Sequence, residues 1–132
     1  MSIFNNAHTL LDVTQATNQA QTGSIYLLLP ASGDGVPSTA QSLRVFFDGS
    51  LSGGASSPTV DVRLQTSHDK ASWISVQSMT QLTASGQRHE FVPVSALGPY
   101  VRAVSELGGG TLPNHTAKVV LASNGGFTLR KV

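Results

Sequence analysis

The stretch Val60-Asp61-Val62-Arg63-Leu64-Gln65 decides the fold. Every second side chain in it is apolar. A strand sends successive side chains to opposite faces, so Val60, Val62 and Leu64 point to a core while Asp61, Arg63 and Gln65 point to water. Similar short runs recur on both sides: Ser24–Leu29, Leu43–Asp48, Trp73–Gln77, Arg88–Pro93, Tyr100–Glu106, Thr116–Ala122 and Phe127–Arg130. Clusters of Gly, Pro and Ser separate them, as turns between strands require. About eight strands in one chain of this length is the count of a jelly roll. The expected fold is all-β: an antiparallel β-sandwich, jelly-roll-like, of about eight strands with an N-terminal arm.

Residues 1–21 read as an N-terminal arm or opening strand, and 22–132 as a single β-sandwich domain. His8–Gln21 lacks Gly and Pro, but its Ala, Gln, Thr and Asn content makes at best a marginal helix. An extended segment anchored by Leu10, Leu11 and Val13 is the better expectation. Tyr100 is expected to cap one edge of the core. Ile25–Leu29 and Val119-Val120-Leu121 are apolar on both faces, which suits a central strand or one covered by a partner.

Only 11% of the 132 residues are charged, with eight basic and seven acidic. About a quarter is usual. A surface built from Ser, Thr, Gln, Asn and Gly has little repulsion to keep copies apart, and suits an assembly. Arg44, Arg63, Lys70, Arg88, Arg102 and Lys118 are scattered and only Arg130 and Lys131 adjoin, so no nucleic-acid partner is expected. The longest apolar run, Ile25 to Pro30, is far short of the ~20 residues of a membrane helix. The start of the chain lacks the features of a signal peptide. A soluble protein made in the cytoplasm is expected.

No catalytic, metal or cofactor site stands out. Ser67-His68-Asp69 has the residue types of a hydrolase triad, but three consecutive residues do not place a histidine between the other two. A turn held by Asp69 is expected instead. His8, His68, His89 and His115 have no metal-ligand spacing among them. His89, beside Glu90, is expected in a surface pair. Gly108-Gly109-Gly110 leads to Pro113 and a strand, not to the helix that a phosphate loop needs.

The layout from about Leu10 to Leu129 resembles the small β-sandwich cement, or decoration, proteins of tailed bacteriophages. The features concerned are Leu11-Asp12, the strand and turn from Val62 to Trp73, Leu97-Gly98-Pro99-Tyr100-Val101-Arg102-Ala103, and a Gly-rich loop before an apolar penultimate strand. The resemblance implies a structural, non-enzymatic protein on the capsid exterior of a virion. Its implied partner is the major capsid protein, whose neighbouring copies it would bridge as a homo-oligomer, dimer or trimer. Ile3, Phe4, Leu10, Leu11, Leu51, Leu112, Phe127 and Leu129 are the expected interface residues. The alternative is a carbohydrate- or receptor-binding module of a phage tail or fibre, with Trp73 and Asp69 as its ligand platform. A jelly-roll or cupin enzyme would need histidines converging in a barrel mouth, and ranks last.

Overall fold

A computed structural model describes residues 6–17, 19–30, 43–52, 59–83, 86–94, 97–108, 114–123 and 127–132. The strands are β1 (Asn6–Thr17), β2 (Gln21–Thr22), β3 (Tyr26–Pro30), β4 (Leu43–Ser52), β5 (Thr59–Ser67), β6 (Ile74–Ser78), β7 (Gly86–Pro93), β8 (Tyr100–Gly108), β9 (Asn114–Ser123) and β10 (Phe127–Lys131). No helix forms among the described residues. One sheet has the order β1-β9-β4-β7 and the other β10-β3-β8-β5-β6, with β2 also on β8.

The antiparallel pairing is nested. β5 pairs with β6, β4 with β7, β3 with β8 and β1 with β9. A chain paired in this way is one long hairpin, bent at the β5–β6 turn and rolled so that successive pairs fall in alternate sheets. That is the jelly roll expected of the sequence. β2 and β3 run along the same partner as two parts of one strand, and β10 adds an edge beside β3.

β5 alternates as its sequence requires, with Val60, Val62 and Leu64 buried. They meet Val45, Phe47 and Leu51 of β4, Val101 and Ala103 of β8, and Val119 and Leu121 of β9. β9 is central in its sheet, between β1 and β4, with Val119 and Leu121 turned to the core and Val120 to the outer face. Tyr100 departs from expectation. Val101 and Ala103 take the inner face of β8, so Tyr100 and Arg102 lie on the outer face.

The opening segment is a strand. A bulge between Thr9 and Leu11 shifts the register of β1 on β9, and lets the consecutive residues Leu10 and Leu11 both face inward. Leu10, Leu11 and Leu51 are therefore core residues, not the contact surface expected of them. Leu129 also packs against the core. Ile3, Phe4 and Leu112 lie outside the described residues, as does the side chain of Phe127.

A buried polar network joins the two sheets. His115 of β9 is fully buried. Its Nδ1–H donates to the Thr17 carbonyl at the end of β1 (2.9 Å), because a carbonyl can only accept. Its Nε2 then accepts from the Ser105 hydroxyl of β8 (2.9 Å), which in turn accepts the Gln21 N–H of β2 (3.2 Å). Nearby, Gly23 donates to the Ala103 carbonyl (2.8 Å), and a Cβ there would strike the Leu10 carbonyl. The close approach of β1 and β8 at this corner needs a glycine.

Candidate functional site

The β5–β6 turn organises one end of the larger sheet. Ser67 is buried, and its Oγ accepts the N–H groups of Asp69 (3.1 Å) and Lys70 (2.9 Å). Its hydroxyl donates to Asp69 Oδ1 (3.0 Å), which also accepts the N–H groups of Ala71 and Ser72 (2.9 Å each). The Ser72 and Ala71 N–H groups, followed by the Ser67 hydroxyl, hold the Asp69 carboxyl at about 2, below its ordinary 3.8. Lys70 takes up the reversal with a positive φ of 67°. His68 is exposed, with Nε2 3.7 Å from the other Asp69 oxygen, Oδ2. The serine thus donates to the aspartate rather than to the histidine, so these three residues build a turn and not a triad.

Lys70 folds back so that its ammonium lies 5.4 Å from the centroid of the Tyr100 ring. Two residues along β8, Arg102 lies 4.2 Å from the centroid of the Trp73 ring and donates to Gln65 Oε1 (2.8 Å). Partial burial lowers the Arg102 pKa from its ordinary value. Trp73 and Asp69 are the ligand platform that the tail or fibre alternative requires. The indole is half-buried under a guanidinium, and the Asp69 Oδ1 acceptor is taken up by the turn.

Register brings the other half of the site from the far end of the chain. Tyr100 pairs with Leu27, and Leu27 with Arg130. Leu28 and Leu129 face the core, so Leu27 and Arg130 share the outer face with Tyr100. Strands lie about 4.8 Å apart, which places Arg130 about 10 Å from Tyr100 across the sheet. Lys131 follows on the edge strand, and both of these basic residues are exposed. Three of the chain's eight basic residues, Lys70, Arg102 and Arg130, thus gather on the outer face at one end of this sheet, among Leu27, Tyr100 and Trp73, while Lys131, paired with the inward-facing Tyr26, adds a fourth cation at the sheet edge. Ile74, 67% exposed, stands at the rim.

The other end of the same face is different. Arg63 pairs with Glu106 at 2.5 Å, while Asp61 accepts from Gln81 (2.9 Å). Its cation is neutralised and its second acid is not paired with a base in these contacts. The face is therefore polarised, positive at the turn end.

The basic cluster was not legible in the sequence because its members are scattered along the chain. Only the β10–β3–β8 register and the fold of the turn assemble it. Alternation along β8 and β10 could have placed Arg102 and Arg130 on outward faces, but not beside one another.

Among the described residues, no three His, Asp or Glu side chains are grouped so as to hold a metal ion. His89 contacts Asp48 across the β4–β7 pair, rather than Glu90 beside it in sequence. Glu90 instead accepts from Thr80 N (2.8 Å) and Oγ1 (2.6 Å). The chain matches no family model, no curated protein and no solved structure.

Proposed function

We propose that this chain is a capsid decoration protein, which binds acidic surface of the major capsid protein on the outside of a phage head and bridges neighbouring subunits. The observation that carries the reading is the gathering of Lys70, Arg102 and Arg130 among apolar and aromatic side chains, with Lys131 at the adjoining sheet edge, on a chain that is otherwise poor in charge. Such a patch favours an anionic partner surface and steers its approach. Repetition over a symmetric shell turns weak single contacts into firm attachment through effective concentration. The patch suits a protein partner better than single-stranded nucleic acid. Bases stack on open aromatic faces, whereas Trp73 and Tyr100 each carry a cation of the chain itself.

Quantitative mass spectrometry of purified particles tests this. A fixed, symmetry-set ratio of this chain to the major capsid protein is expected. Stripped particles should take back the parent chain, but retain at least about ten-fold less of the R130E/K131E double variant in physiological salt. Both positions are exposed, so the variant's stability should stay within about 0.5 kcal/mol of the parent's. Equal retention of parent and variant would overturn the reading. A few copies per particle would favour a tail or fibre module, with Trp73, Gln65 and Arg102 as its sugar contacts. Tight binding of a fluorescent single-stranded oligonucleotide, lost in the same variant, would favour nucleic acid.

A further inference from the structure

We infer that the outer face of the four-stranded sheet binds a second copy of this chain, about a two-fold axis running along the row Val120–Phe46–Phe91. This concerns the isolated chain and does not depend on the capsid reading. Phe46 is paired with Val120 on one side and with Phe91 on the other, so the three residues form a row across β9, β4 and β7. Val45 and Phe47 are buried, which puts Phe46 on the outer face. Phe46 is 40% exposed and Phe91 43%, and their rings stack at 4.1 Å with 13° between planes. Large apolar side chains gathered on an outer sheet face mark an interaction surface.

The charges on either side of the row identify the occupant. On β4 the outward residues run Arg44, Phe46, Asp48: a cation, an aromatic ring and an anion at two-residue steps. Each step is about 6.8 Å along the strand. A two-fold axis through Phe46, in the plane between the sheets and perpendicular to the strands, reverses the order in the second copy. Arg44 of each copy then lies over Asp48 of the other, and Phe46 meets Phe46. Sheets packed face to face lie about 10 Å apart, a gap that an arginine and an aspartate span together.

The sequence Arg-x-Phe-x-Asp is thus complementary to itself under the commonest symmetry of soluble oligomers. Asp48 stands in a shallow groove of about 370 Å³, also lined by Asp12, Ser50, His89 and Lys118, which would receive the incoming guanidinium. A carboxylate has about four acceptor sites, so its contact with His89 leaves capacity for a second donor. A net charge of +1 opposes self-association only weakly.

Four strands at about 4.8 Å and eight residues at about 3.4 Å give roughly 500 Å² of sheet per copy. That lies below the ~800 Å² per partner of a standard interface, so the dimer should dissociate on dilution. Sedimentation velocity from about 1 to 500 μM tests it, with micromolar dissociation expected. Arg44→Asp and Asp48→Arg should each raise Kd at least about ten-fold. The R44D/D48R double variant restores both pairs under the dyad and should return to within about three-fold of the parent. Phe46→Ser should abolish the dimer without altering the monomer's far-UV spectrum. A chain that stays monomeric throughout the series would overturn the inference. So would a double variant no better than the singles, or a dimer untouched by all of these changes.

Discussion

His115→Ala is expected to cost about 3–5 kcal/mol, the largest loss of any single substitution at a polar position among the described residues. Two costs combine. The imidazole is fully buried, so truncation leaves a cavity between the sheets. Truncation also removes the imidazole N–H that the Thr17 carbonyl accepts and the ring nitrogen to which the Ser105 hydroxyl donates. A buried polar group left unpaired costs about 1–3 kcal/mol. His115→Phe separates the two contributions, because it fills the volume and restores neither hydrogen bond. It should recover part of the loss, and S105A/H115F should recover no more, because it exchanges the unpaired Ser105 hydroxyl for an unpaired Gln21 N–H. Equilibrium urea unfolding of the three variants measures all of this. A loss under about 1 kcal/mol for His115→Ala would mean that the network does not hold the sheets together.

The same network gives the fold a pH dependence of defined sign. Burial pushes the His115 pKa below its ordinary 6.5, against a smaller opposing effect of the Thr17 carbonyl, which favours the protonated ring. The unfolded chain therefore binds a proton more readily than the folded one. Stability from this group is complete above about pH 6.5, falls as the pH drops below that value, and levels off once the pH has passed the folded pKa. Protonation would also turn Nε2 from acceptor to donor and force the Ser105 hydroxyl to reorient. Unfolding midpoints measured from pH 8 to pH 5 should fall in the parent and fall less in His115→Phe. The comparison isolates His115 from the other three histidines. Parallel profiles would refute the assignment.

His115 also marks where sequence reading stops. As one of four dispersed histidines it offered no metal spacing, and its core position depends on β9 alternating through His115, Ala117, Val119 and Leu121. The alternation of β5 was legible because apolar and polar residues take strict turns there. β1 was harder to read. Its bulge puts two consecutive leucines inside, so apolarity pointed to contact residues where the fold has core. Phe46 and Phe91 are the opposite case: they stand in alternating strands as core-type residues, and only the cross-strand register shows them side by side on the outside. Local periodicity thus fixes the face of a residue within its strand, but the neighbour across the strand is a property of the whole roll.

Ser67→Ala should both weaken the fold and slow its formation. The hydroxyl serves two backbone N–H groups and orients Asp69, which serves two more. Its loss in a buried position should cost roughly 1–3 kcal/mol. The effect on rate follows from the nested topology. β5 and β6 are the innermost pair, closed by the residues that Ser67 and Asp69 tie. Once they are joined, β4 and β7 close over a shortened effective loop, then β3 and β8, then β1 and β9. Had an outer pair to form first, it would have to close most of the chain as a free loop. The turn is therefore expected to be formed in the transition state, with most of the lost stability appearing as slower folding and little as faster unfolding. A loss of about 1.4 kcal/mol would then slow folding about ten-fold. Asp69→Ala should act in the same direction. Acid should loosen the parent turn as well, because a carboxyl held at about 2 contributes stability above 3.8 that disappears as the pH falls through 2. Stopped-flow folding and unfolding of the parent and the two variants decides the matter. If unfolding speeds up while folding stays unchanged, the turn closes late, and the roll is begun by another pair.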